Sequence, residues 1–115
     1  MPESRDDMDE KHRVLSQVFG YREFRGGQEI LIDAQLAGRD AFGVMPTGGG
    51  KSLCYEIPAL LLEGAALVVC PLISLMKDQV AALTAAGVPA AYINSSLAPE
   101  QIRTVYRYML AGRYK

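Results

Sequence analysis

Apolar positions set the rhythm of this chain, and the rhythm changes several times. Val14, Leu15 and Val18 stand at helical spacing and stop at Gly20, so a short amphipathic helix is predicted over 10–18, after a frayed, charged start at residues 1–9. A second helix is predicted from about Gln28 through Ile30, Leu31, Ala34 and Gln35 to Gly38, where glycine marks the stop. The spacing then gives way to a short unbroken run, Ala41 to Met45 (AFGVM), that enters a glycine-rich stretch. Helical spacing returns over Lys51 to Leu62, with Pro58 expected to kink or offset it. The order is strand, loop, helix.

The same order repeats downstream. Ala65 to Cys70 (AALVVC) has no polar alternation, as expected of a parallel strand buried on both faces. Ser74 is placed to cap the next helix, with Met76, Val80 and Leu83 as its apolar stripe and Gly87 as its stop. Ala90 to Ile93 (AAYI) offers a third strand. The last helix has Pro99 in its first turn, a stripe of Ile102, Val105, Tyr106, Met109 and Leu110, and Gly112 at its end. Alternating strands and helices predict an α/β fold, a parallel sheet with flanking helices. Three strands leave an exposed edge that wants a neighbour, and Arg113-Tyr114-Lys115 stands where a fourth strand would be due.

Composition narrows the class. Of the 115 residues, 50% are apolar, enough for one modest core. The net charge of -1 argues against a module that holds nucleic acid by bulk charge. Residues 100–115 alone are basic, with one acid against four bases, and a solvated helix face accounts for that excess. Cys54 and Cys70 lie in apolar surroundings without metal or disulfide spacing, which suggests buried thiols in a reducing compartment. His12, the single histidine, sits in the charged opening and reads as an ordinary surface residue. That opening is unlike a signal peptide, and AALVVCPLISLM is too short and proline-broken to span a bilayer, so a cytoplasmic protein with no membrane partner is expected.

The chemistry concentrates at Gly43 to Ser52, GVMPTGGGKS. A strand entering a glycine loop that opens a helix aims several backbone N–H groups at one spot, reinforced by the helix dipole, and that spot suits a phosphate. Thr47, Gly48, Gly49 and Gly50 are the expected cradle. Lys51 is the candidate catalytic residue, a charge able to follow a transferring phosphoryl group, and the Ser52 hydroxyl is the candidate ligand for Mg2+. The spacing reads as a P-loop with one mismatch, Met45 in place of the first glycine. The competing reading is a glycine-rich turn with a surface lysine. Cys54 and Tyr55 are expected to pack behind the loop.

A P-loop does not choose the base. Upstream stands Phe19 to Gln28, FGYREFRGGQ, in which a ring can stack on a base while a guanidinium and an amide reach its edge. The donor and acceptor of a glutamine amide match adenine, and guanine presents two acceptors there. From the residues alone, Tyr21 and Phe24 serve equally as core aromatics and Gln28 as a helix-start residue.

Taken together, FGYREFRGGQ, MPTGGGKSLCYEIPAL and VVCPLISLMKDQV resemble the start of the first RecA-like motor domain of RecQ-family DNA helicases, members of helicase superfamily two. The resemblance runs from about Leu15 to Ser96. It implies a partial RecA-like P-loop NTPase domain over residues 10–115, with ATP and Mg2+ as cofactors and single-stranded or partly duplex DNA as partner. It places Tyr21, Arg25 and Gln28 on the adenine-recognition motif, Gly48, Gly50, Lys51 and Ser52 on the phosphate and magnesium motif, and Pro71 to Gln79 on a motif that touches DNA. Met45 is also what the family shows. Within the DNA motif, Pro71, Leu72, Ser74 and Lys77 are the candidate contacts, since a strand end leading into a helix N-terminus offers N–H groups and a hydroxyl to a phosphate. Ser74 as a plain cap and Lys77 as a solvated charge explain the same residues. Gly26 departs from the family's usual proline and is expected to loosen the loop by about 0.4–1 kcal/mol if the position suits proline.

The implied activity is ATP-dependent 3'-to-5' movement on DNA in repair and recombination, in the cytoplasm at the nucleoid. Such an engine also needs an acid pair after the next strand and an arginine from a second motor domain. Neither is among these residues, so the chain reads as truncated before the acid pair, and sustained hydrolysis is not expected of it alone. Two other readings stay open: a truncated, non-catalytic adenine-nucleotide-binding module, and a small P-loop phosphotransferase, which would need its own acceptor site and lid arginines.

Overall fold

The computed structural model describes residues 2–45 and 50–115, with side chains from Glu10 onward; Thr47, Gly48 and Gly49 lie outside the described residues. The chain divides into two compact units, Met1–Glu63 and Gly64–Lys115. The first holds helices α1 (Pro2–Gln17), α2 (Gln28–Leu36) and α3 (Leu53–Leu61), and the second holds α4 (Ile73–Ala85) and α5 (Pro99–Leu110).

Helix α1 begins at Pro2, eight residues before the expected position 10. The residues permit this: a proline suits the first turn, acids at Glu3, Asp6 and Asp7 suit the positive end of the helix dipole, and no glycine interrupts. Val14 and Leu15 then meet Ile32 of α2 and Leu53 and Ile57 of α3 in one buried cluster, edged by Val18, Phe19, Phe24, Leu36, Leu60 and Leu61. Leu15, Ile32 and Ile57 are fully buried, each contributing roughly 1.5–3 kcal/mol by transfer from water. Both α1 and α2 pack on α3.

Pro58 lies inside α3 and is itself buried. A proline has no N–H to offer the carbonyl four residues back, here Cys54. Gln35 of α2 fills that role: its Nε2 donates to the Cys54 carbonyl at 2.8 Å and to the Leu31 carbonyl at 2.9 Å. One side-chain amide thus repairs the helix and stitches α2 to α3. Lys11 is a second tie. It is only 2% exposed, and its Nζ lies 2.8 Å from Glu29 and 2.5 Å from Asp33, both on α2.

In the second unit the helices fall near their expected positions, but α4 starts two residues early. Leu72 is the N-cap, extended at φ -107° and ψ 110°, and Ser74 sits second in the helix, so it is not the cap. Helix α5 opens with Pro99, and the Gln101 side chain accepts the Ala98 N–H at 2.8 Å, half of a capping box, since alanine cannot return the bond.

The three apolar runs expected to be strands form no helix, and no ladder joins them among the described residues. A spacing explains this in part. The Ala66 N–H donates to the Lys115 carbonyl at 2.7 Å, and the Lys115 N–H donates to the Pro89 carbonyl at 2.9 Å. The backbone of Lys115 therefore stands between Ala66 and Pro89, just ahead of the run beginning at 90, and keeps the two runs from pairing directly there. Leu67 and Val69 are 88% and 87% exposed, so the run expected to be buried on both faces is uncovered.

Candidate functional site

The first unit gathers the predicted residues around two turns. After α1 the chain turns back, with the Tyr21 N–H donating to the Leu15 carbonyl at 3.1 Å. Phe19 and Phe24 go to the core, and the exposed His12 ring sets its edge against Phe24 at 5.1 Å between centroids. Tyr21 stays out, 51% exposed, and Arg25 is exposed as well. The core-aromatic reading therefore fits Phe24 and fails for Tyr21.

Arg25 to Gln28 closes on itself twice. The Gln28 N–H donates to the Arg25 carbonyl at 3.0 Å, and the Arg25 N–H donates to Gln28 Oε1 at 2.8 Å. Gly26, inside this loop, has φ +50°. That corrects the expectation for proline: the ring fixes φ near -65°, so the position does not suit it, and the glycine is what the loop conformation requires.

Gln28 is buried to 2% exposure, and its Nε2 donates to the Gly50 carbonyl at 3.0 Å. This bond joins the FRGGQ loop to the last residue of the glycine run. Gly50 has φ +77°, which favours glycine, and a Cβ there would push the Gln28 Nε2 aside and disturb this bond. The next two residues open α3. The Lys51 carbonyl accepts the Cys54 N–H at 3.1 Å, and the Ser52 carbonyl accepts the Tyr55 and Glu56 N–H groups at 3.2 and 2.9 Å. The Lys51 side chain is exposed at this helix start, Ser52 is half-buried, and among the described residues no salt bridge holds Lys51.

Behind the loop, the Cys54 thiol donates to the Met45 thioether at 3.8 Å, so Met45 packs where a glycine would leave a gap. Burial pushes the Cys54 thiol up and out of the reactive range, and burial likewise raises the Glu56 carboxyl. For Lys11, burial alone would lower the ammonium, but its bonds to Asp33 and Glu29 outweigh that and the net shift is upward.

The remaining candidates belong to the second unit. Pro71, Leu72, Ser74 and Lys77 are all exposed around the start of α4, and the Cys70 thiol donates to the Leu72 carbonyl at 3.5 Å. A hydroxyl, a charge and helix-start N–H groups thus lie on one exposed stretch of the chain. Among the described residues no helix is long and apolar enough to cross a membrane.

Sequence reasoning missed the Gln28–Gly50 bond, the Gln35 repair and the Lys11 tie. Only the second had a signal, since Pro58 orphans the Cys54 carbonyl wherever it sits inside a helix.

The family described as DEAD/DEAH box helicase matches residues 25–108. An ATP-dependent DNA helicase RecQ of Haemophilus influenzae is 55% identical over 102 residues, 89% of this chain and 16% of that protein. RecQ of Bacillus subtilis is 50% identical over 103 residues, 89% of this chain and 17% of that protein. The rat ATP-dependent DNA helicase Q1 is 49% identical over 100 residues, 87% of this chain and 16% of that protein. The chain thus spans about one sixth of the length of these curated relatives, at 16–17%. The motif resemblance to RecQ-family helicases is borne out, and with the family match covering most of its length the chain belongs to the DEAD/DEAH box helicases, which have a RecA-like P-loop fold.

Proposed function

We propose that residues 10–115 are the N-terminal part of the first RecA-like domain of a RecQ-family DNA helicase, a motor that couples ATP hydrolysis to 3'-to-5' movement on DNA in repair and recombination. The observation that carries this is the Gln28 amide, which ties the loop assigned to adenine to the loop assigned to phosphate. Two loops 22 residues apart share one bond, as a site that reads base and phosphates together requires.

The residues fit MgATP. Gly50 carries a conformation that favours glycine and a Cβ there would displace the Gln28 amide, and Lys51 and Ser52 lead into α3 with the lysine exposed. MgATP supplies the phosphoanhydride bond whose cleavage drives movement. Lys51 would neutralise charge at the β and γ phosphates, and Ser52 would ligate the magnesium. Thr47, Gly48 and Gly49, outside the described residues, would complete the cradle. Tyr21 and Arg25, both exposed, would stack on adenine and hold it, while the buried Gln28 amide, bonded to Arg25 and Gly50, would set the loop shape that reads the adenine edge. Its bonds to Arg25 and Gly50 mean that base binding and loop shape depend on one another.

For DNA, Leu72 as cap supports a ligand role for Ser74, whose hydroxyl is not spent on capping α4. Pro71 and Leu72 would shape the approach, and Ser74 and Lys77 would meet a backbone phosphate. A parallel sheet is the finer fold reading, supported by the Lys115 backbone bonding on one side to Ala66 and on the other to Pro89. The working place is the cytoplasm, at the nucleoid. A test replaces the matching segment of the Haemophilus influenzae relative with this chain. The chimera should unwind a 3'-tailed duplex with ATP and lose that activity on Lys51→Ala; a folded chimera that binds DNA and does not unwind it would count against the reading.

A further inference from the structure

Lys11 lies outside every motif, yet it is the most deeply buried charge described in the chain, 2% exposed on a helix otherwise held by Val14 and Leu15. Its two partners, Glu29 and Asp33, stand four residues apart on α2 and so share a face across the first two turns. Glu29 directly follows Gln28. The α2 N-terminus has no side-chain cap bond of its own, because Gly27 is the N-cap. We propose that Lys11 is a positioning residue for the Gln28 amide: by gripping both carboxylates it fixes the rotation of α2 and with it the reach of Gln28 to Gly50.

The lever is sensitive. A side chain rides about 5–6 Å from its helix axis, so a turn of about 10° displaces its tip by about 1 Å. The Gln28–Gly50 bond is 3.0 Å long, and a displacement of that size breaks it. Stability is a poor explanation for the grip. Glu29 and Asp33 are 41% and 52% exposed, so water can solvate them once the lysine is gone, and buried ion pairs often give no net stabilisation against an apolar replacement. Lys11→Met should therefore fold.

The role rests on the nucleotide reading above, and the test separates the two. On the 115-residue chain with Lys11→Met, Lys11→Arg, Gln28→Ala and the Lys11→Met/Gln28→Ala double variant, one records thermal melts, the Gln28 side-chain amide resonance without nucleotide, and ATP and GTP affinities with magnesium. Lys11→Met should shift that resonance and weaken ATP roughly three- to tenfold, the worth of one hydrogen bond, with the ATP preference over GTP falling toward that of Gln28→Ala. Lys11→Arg should restore both, and the double variant should bind no worse than Gln28→Ala. A Lys11→Met chain whose amide resonance and ATP preference stay at wild type, even with a lowered melt, overturns the positioning role. A wild-type chain that binds ATP and GTP alike sinks the underlying nucleotide reading, and the resonance then decides by itself whether Lys11 positions Gln28.

Discussion

Gly26 and Glu56 are the residues at which conformation and burial give the plainest expectations. Gly26 sits at φ +50°, a region that costs other residues about 1–2 kcal/mol, so Gly26→Ala should lower unfolding free energy in urea by about that amount. Gly26→Pro should lower it further, where a position suited to proline would show a gain. Glu56 has a carboxyl raised by burial, so its proton is held more tightly in the folded state. Stability from this group is complete below the unfolded value near 4.5 and declines as pH rises through the higher folded value. Glu56→Gln, which stays neutral, should melt with the wild type near pH 3.5 and above it at pH 8; equal melts at both would contradict the burial effect. The types at Tyr21, Arg25 and Gln28 suggest a recognition set from the sequence alone. That Gln28 would be buried was not legible there, because an amide bonded between two loops and one in water have the same local sequence.

At the scale of elements, α3 depends on a neighbour. Pro58 removes the donor for the Cys54 carbonyl, and Gln35 supplies another. Gln35→Leu should cost about 1–3 kcal/mol through the carbonyl left unsatisfied. In a Pro58→Ala background the helix can make its own bond, so the same change should cost much less, and a double-mutant cycle by urea unfolding reads the difference. Additive losses would mean that the amide does not serve that carbonyl. All five helices were legible from spacing and glycine stops, α2 and α5 almost to the residue. The start of α1 was not, because charge without periodicity looks like a tail although nothing in it breaks a helix. Ser74 misled for the opposite reason: a good cap residue lost the place to Leu72, whose extended backbone alone ends the preceding run.

Across the whole molecule the apolar residues are unevenly covered. The first unit has a closed core, while α4 and α5 hold no buried residue and Val88 is the buried apolar residue of the second unit. Amide exchange should follow that division, with α1 to α3 protected and α4 and α5 exchanging much closer to the unfolded rate; uniform protection would show a core that these contacts do not contain. An α/β alternation was expected from the sequence, but ladder formation is a property of paired backbones, and the backbone of Lys115 bonds to Ala66 on one side and to Pro89, just before the run at 90, on the other. If Gln28 and Lys51 make one site that reads adenine and phosphates together, the affinities of this chain for ATP and GTP with magnesium, for wild type, Gln28→Ala and Lys51→Ala, will show it. ATP should bind well ahead of GTP, both substitutions should weaken ATP, and Gln28→Ala should erase the preference; equal binding of the two nucleotides, or indifference to Gln28→Ala, would overturn the shared site.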